Sequence, residues 1–283
     1  MRILIAALAI LLVAGAARAA EPEKVAIPSL HRDGATLTGY LLRPAGDAPA
    51  PTVLLLHGCS GPITSRGRLA SRERAWMELF AAKGYAALLL DSFNPRGYAG
   101  ICTNGKRPIT AEKDRPYDAY GALAWLRGQP FVNGEKIAIM GWSHGAMTTL
   151  AAISEQMIKE VGWTQPGFVT AIAFYPGCIE LNKTRYVNKV PLLMQLGEKD
   201  DWTPAKNCVA MAKAAQGRSG HRPIEVDVYP GAHHAFDNPT GKVNARTVNS
   251  GGGDRQVHSG ADPAARDKSI ARTADWIAAA FGG

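Results

Sequence analysis

Gly141-Trp142-Ser143-His144-Gly145 sets one serine between glycines two residues away on either side. Lys136 to Met140 precedes it and reads as a strand; Ala146 to Ala152 follows and reads as a helix. G-x-S-x-G at such a strand-turn-helix junction is a nucleophile elbow. The turn strains the serine backbone and leaves the hydroxyl exposed at the top of a sheet. Glycines on both sides let strand and helix approach closely. The helix aims unpaired N–H groups at the place where negative charge would develop.

A serine nucleophile needs a base, and the base needs an acid to orient it. Two later segments supply these types in the order acid, then histidine. Gly197-Glu198-Lys199-Asp200-Asp201-Trp202-Thr203-Pro204 follows one apolar strand; Gly231-Ala232-His233-His234-Ala235-Phe236 follows the last strand. G-x-x-D-x-x-x-P spacing selects Asp200 as the acid. Asp201 can instead cap a helix that begins near Pro204. The oxyanion of an acyl-transfer intermediate needs two backbone donors. The N–H of His144, next to the serine, is one, and the N–H of Cys59 in His57-Gly58-Cys59 is the other. His57-Gly58 could also be a plain tight turn. His31, His221 and His258 lie in polar loops.

These residues can meet only if the chain delivers them to one edge. Thr36–Leu42, Pro51–Leu56, Tyr85–Leu90, Lys136–Met140, Val169–Tyr175, Pro191–Leu196 and Ile224–Tyr229 read as strands. Arg68–Lys83, Pro116–Arg127, Pro204–Ala215 and Pro263–Phe281 carry helical spacing. Continuous apolar strands alternating with helices predict a mostly parallel sheet with helices on both faces. Function then gathers in the loops beyond the carboxyl ends of the strands. Residues 238–262, rich in Gly, Asn, Ser and Arg, fit no element and read as a mobile or disordered loop.

Leu56 to Gly61, Asp91-Ser92-Phe93, Gly141 to Gly145, Gly197 to Pro204 and His233-His234-Ala235-Phe236 together resemble the dienelactone hydrolase family. The resemblance covers roughly residues 35–237. It implies the α/β-hydrolase fold, a Ser or Cys nucleophile with Asp and His, ester or lactone hydrolysis and no cofactor. The superfamily's His-x-Phe spacing after the last strand selects His234 as the base, with His233 a neighbour. The namesake enzymes carry cysteine at the nucleophile position, where this chain has Ser143. Arg96, in Asp91 to Gly97, lies near enough to the site in this reading to contact an anionic substrate group; the alternative is a solvated loop arginine.

The chain has 283 residues, 46% of them apolar, which suits one α/β domain over residues 20–283. Met1-Arg2, the apolar stretch to Ala17 and Ala17-Arg18-Ala19 read as a secretory signal peptide over residues 1–19. The stretch is too short and alanine-rich to be a stable membrane span. The formal charge is +8, scattered rather than clustered, with no nucleic-acid motif behind it. Cys59, Cys102, Cys178 and Cys208 all follow the leader, where disulfides can form. Cys59 and Cys102 come after consecutive strands, as do Cys178 and Cys208. Neighbouring parallel strands would bring their loops together, so the pairing 59–102 and 178–208 is expected; four buried thiols are the alternative. The resulting expectation is a periplasmic or secreted serine hydrolase acting on a small ester or lactone. Its rivals are a peptidase or amidase on the same triad, and a non-catalytic binding protein on a hydrolase scaffold.

Overall fold

A computed structural model of the protein describes residues 21–249 and 251–283, so the expected signal peptide lies outside the described residues. Eight strands form one sheet: β1 (Glu23–Pro28), β2 (Thr36–Leu42), β3 (Ala50–Leu56), β4 (Ala86–Asp91), β5 (Val132–Trp142), β6 (Thr170–Phe174), β7 (Leu192–Gly197) and β8 (Ile224–Tyr229). Their order is β1-β2-β4-β3-β5-β6-β7-β8. β1 and β2 pair antiparallel, and β2 runs antiparallel to β4; every pairing from β4 to β8 is parallel. The parallel strands therefore end on one edge, and each is followed by a loop that reaches it.

Alternation along the strands sorts the apolar side chains into two layers. Leu54 and Leu56 of β3, with Ile137 and Ile139 of β5, face the helices α2 (Arg115–Arg127), α3 (His144–Ala152) and α6 (Ala205–Gln216). Val53 and Leu55, with Ala138 and Met140, face α1 (Ser71–Ala82) and α7 (Pro263–Phe281). Leu54, Leu55 and Leu56 are all fully buried, which contributes about 1.5–3 kcal/mol for each side chain. Two short helices, α4 (Glu155–Val161) and α5 (Ile179–Asn182), pack beside α3 and α6.

The 238–262 segment is not the unstructured loop that its composition predicts. It folds into an antiparallel hairpin, β9 (Asn244–Asn249) with β10 (Asp254–Ser259). Val248 and Val257 are fully buried, against Trp202, Phe93 and the Cys59 and Cys102 side chains. Most other hairpin side chains are exposed, so the strands lack the alternation that marks a strand in sequence. Two valines and a neighbouring core decide the fold here, where a local pattern does not.

Both expected disulfides are present, Cys59–Cys102 and Cys178–Cys208. The first joins the loops that leave β3 and β4; the second joins the segment after β6 to Cys208 on α6, the helix that follows β7.

Candidate active site

Ser143 sits between β5 and α3 with φ 51° and ψ −113°. This left-handed backbone costs a non-glycine residue on the order of 1–3 kcal/mol and persists only when the surroundings enforce it. Here Ser143 N–H donates to Phe174 O at 2.9 Å, and Ser143 O accepts from Met147 N–H at 2.9 Å. A Cβ on Gly145 would lie 2.0 Å from Leu56 O, and one on Gly141 would lie 2.3 Å from Gly145 O. Strand β3, strand β5 and helix α3 thus meet at backbone contact, and only glycine permits it. The other non-glycine residues with positive φ among the described residues are Tyr175 (41°) and Ala235 (61°). Both flank the same site, after β6 and β8.

His234 Nδ1 lies 2.7 Å from Asp200 Oδ2. The carboxylate can only accept, so Nδ1 carries the proton of this bond. Asp200 is itself oriented: its Oδ1 accepts from Trp202 N–H at 2.9 Å and Thr203 N–H at 2.8 Å. Thr203 Oγ1 lies 2.9 Å from Asp200 Oδ2, 3.0 Å from His234 Nδ1 and 3.0 Å from Tyr175 O. The imidazole is held between the rings of Tyr175 and Trp202, each 4.5 Å away between centroids. Tyr175 follows Phe174, whose carbonyl holds Ser143, so β6 links the serine turn to the histidine ring. Ser143, Asp200 and His234 are all buried.

The neighbours that could compete for these roles are engaged elsewhere. Asp201 accepts from His258 on the hairpin, through Nδ1 at 2.7 Å and the backbone N–H at 2.8 Å. It does not cap α6, whose N-cap is Pro204. His233 packs against the His258 ring at 5.7 Å, and its Nδ1 is buried with no hydrogen-bond partner among the described residues. Arg96, expected near the substrate, is not among the residues that line the Ser143 cavity. It grips buried Asp118 with two nitrogens at 2.8 and 2.9 Å, and reaches Asp33 at 2.6 Å.

Below the serine turn lies a buried polar hub. Asp237 accepts from Trp76 Nε1 at 3.0 Å, Trp142 Nε1 at 2.7 Å and Tyr175 O–H at 2.5 Å. Arg72 donates to Tyr175 Oη at 3.0 Å and pairs with Glu73. Burial, and then the neighbouring acids, push the Tyr175 hydroxyl well above its ordinary pKa despite Arg72, so it stays a donor.

Gly58 lies flat against the serine turn: a Cβ there would sit 3.5 Å from Trp142 O and 3.7 Å from Ser143 Cβ. Cys59, Ser143 and His144 line one cavity of about 310 Å³, within the usual range for small ligands. Arg107, Arg255, Glu112, Glu180, Met147 and Trp202 line it too. The cationic residues at the cavity are therefore Arg107 and Arg255, not Arg96. Arg255 escapes sequence reasoning because it arrives on the hairpin, where it donates to Trp202 O at 2.7 Å. Among the described residues no group of His, Cys, Asp or Glu side chains is arranged to hold a metal ion.

The dienelactone hydrolase family model matches residues 37–281. A probable 2-oxo-3-(5-oxofuran-2-ylidene)propanoate lactonase from Bradyrhizobium sp is 26% identical over 220 residues, covering 72% of this chain and 80% of the lactonase. Dipeptidyl aminopeptidase BIII from Pseudoxanthomonas mexicana is 31% identical over 132 residues, which is 44% of this chain. The chain spans 18% of that peptidase, and 23% of the Bacillus subtilis peptidase YuxL. Among solved structures, Thermogutta terrifontis esterase 2 phosphorylated by paraoxon superposes with a TM-score of 0.63 at 17% identity, covering 93% of this chain and 96% of the esterase. That likeness places the chain in the α/β-hydrolase fold.

Proposed function

The chain belongs to the dienelactone hydrolase family, and from that premise we propose that it is an exported serine hydrolase that cleaves small carboxylic esters or lactones through an acyl-enzyme. The observation that carries this reading is the His234–Asp200 pair at 2.7 Å, its imidazole against the Tyr175 and Trp202 rings, with the strained Ser143 held by the carbonyl of Phe174, the residue before Tyr175. Ser143 Oγ attacks the carbonyl carbon as His234 Nε2 takes the hydroxyl proton. Asp200 holds the ring tautomer and stabilises the imidazolium. The N–H groups of Cys59 and His144 receive the negative charge that develops on the carbonyl oxygen. Collapse breaks the carbon–oxygen bond of the ester, and the alcohol leaves with the proton from His234. Water then attacks the acyl-enzyme, giving its proton to His234 and its oxygen to the acid product, and Ser143 recovers its proton.

The similarity to a lactonase over most of both chains supports a lactone or ester bond. The peptidase relatives support the same triad on an amide, over a smaller part of this chain. Residues 20–283 form the single catalytic domain of this reading, with no cofactor. Export is supported by the leader-like residues 1–19 and by the two disulfides, which an oxidising compartment sustains. No helix among the described residues is long and apolar enough to cross a membrane.

A fluorophosphonate probe, followed by a panel of p-nitrophenyl esters, lactones and peptide p-nitroanilides, tests the proposal. Labelling at Ser143 and turnover of esters or lactones far above anilides are expected. Labelling with anilide preference moves the assignment to a peptidase. Absence of labelling leaves a binding protein on a hydrolase scaffold.

A further inference from the structure

We infer that Arg115 is a positioning residue that holds the two halves of the oxyanion hole in register, an assignment that rests on the hydrolase reading of Ser143. Arg115 is the first residue of α2 and is fully buried. One of its nitrogens, Nη1, lies 2.9 Å from His57 O and 2.9 Å from His144 Nδ1. His57 opens the loop that carries Cys59, and His144 is the residue after the nucleophile. One guanidinium nitrogen therefore touches both segments whose N–H groups face the developing oxyanion.

The geometry decides proton positions as well. A guanidinium can only donate, so His144 Nδ1 accepts and the ring is neutral. His57 Nε2 accepts from Ser92 N–H at 3.2 Å, while its Nδ1 lies 2.8 Å from Gly58 O. That ring is neutral too, with its proton on Nδ1. Burial, and then the charge of Arg115, hold both histidines well below their ordinary pKa. Phe93 fills the space between them: its ring meets His57 at 4.6 Å and His144 at 5.7 Å edge to face, and Arg115 lies over it at 5.1 Å.

A purely structural buried arginine is ordinarily paired with a carboxylate, because a buried charge without one is expensive. Arg115 makes no ion pair among the described residues; Asp118, three residues on, is taken by Arg96 and Ser29. Its Nε and Nη2 are buried with no hydrogen-bond partner among the described residues. Burial lowers its pKa to about 10, so it is charged at neutral pH. Asp118 and Asp91 act on it through space without an ion pair, and the positive charge lies against the His57 and His144 segments in a water-poor region where such a charge acts strongly.

The test begins with wild type and Ser143→Ala on a p-nitrophenyl ester. An inactive wild type, or an active Ser143→Ala, removes the hydrolase reading and this assignment with it. With the reading standing, Arg115→Met is compared with wild type for kcat, KM and affinity for an alkylboronic acid, which forms a tetrahedral adduct on the serine. The expected result is a kcat loss of about 100-fold, the scale of one lost oxyanion donor, with KM within about threefold. Boronate affinity should fall by the same factor as kcat/KM. Arg115→Lys, which keeps the charge, should recover part of the loss. If Arg115→Met fails to fold by circular dichroism, His144→Ala replaces it, since it removes the ring acceptor but keeps the backbone N–H and Arg115. A folded variant with unchanged boronate affinity, or with raised KM and intact kcat, overturns the assignment.

Discussion

At the scale of single residues, the site is a set of near-duplicates that hydrogen bonding separates. Asp200 and Asp201 are adjacent, yet one orients His234 and the other pairs with His258 on the surface. His233 and His234 are adjacent, yet only His234 meets a carboxylate among the described contacts of the pair. His234→Ala should therefore lower kcat by at least about 10³-fold, as expected for a triad member, whereas His233→Ala should lose less than about tenfold. Equal losses in two folded variants would contradict the assignment. Asp200→Asn should lower kcat/KM by a similarly large factor because the ring loses its tautomer partner. Asp201→Asn should leave turnover nearly intact; steady-state kinetics on one ester compare the two directly.

At the scale of elements, the serine turn is a backbone contact among β3, β5 and α3. Gly145→Ala would place a methyl group 2.0 Å from Leu56 O, and no flexible side chain can yield there. Overpacking of this kind costs about 1–3 kcal/mol or more, and a domain of this size loses about 2–4 °C of Tm per kcal/mol. A melting curve should show Gly145→Ala lower by roughly 5–10 °C; an unchanged Tm would mean that the turn is looser than its geometry. The hairpin is the second element that matters. Arg246 lies over Trp202 at 5.3 Å, and Trp202 lies against His234 at 4.5 Å. Gly260 N–H also donates to His234 O at 2.9 Å. The hairpin therefore braces the histidine loop from outside the sheet.

At the scale of the whole molecule, two disulfides and several buried ionisable groups set the limits of stability. Each bridge closes a loop of moderate length and stabilises by about 2–4 kcal/mol, mainly through the unfolded chain. Reduction should lower Tm and also turnover, because the Cys59–Cys102 bridge anchors the loop of the proposed oxyanion donor. Alkylation of all four thiols in the unreduced protein would contradict this. The pH dependence follows from His57 and His144, which stay neutral in the fold well below their ordinary pKa of 6.5. The unfolded chain takes up their protons as pH falls through that value and the folded protein does not. Their contribution to stability is complete above about pH 7.5 and is lost below about pH 6.5, by on the order of 1 kcal/mol per pH unit per histidine. Asp33, held low by Arg96, acts in the same direction at lower pH. Thermal melts from pH 7.5 to 5 should show a falling Tm; a flat profile would contradict the neutral buried rings.

The strand-turn-helix pattern at Ser143, the order of the acid and histidine segments, and the alternation of strands with helices are local features, and the sequence alone determined them. The disulfide pairing was legible for a related reason: consecutive parallel strands bring consecutive loops together. Choosing within the pairs Asp200/Asp201 and His233/His234 needed motif spacing, and the bonds that separate them exist only in the assembled loops. The Arg96–Asp118 ion pair was not legible because Asp118 lies on α2, remote in sequence and invisible to spacing. Arg115 gave no signal, since a helix-initial arginine looks solvated until the segments carrying His57, Phe93 and His144 close around it. The β9–β10 hairpin was hidden because two buried valines against a distant disulfide, rather than any repeating pattern, stabilise it. Periodicity and spacing record what a segment does with its own neighbours; contacts made across the fold are decided only when the elements pack.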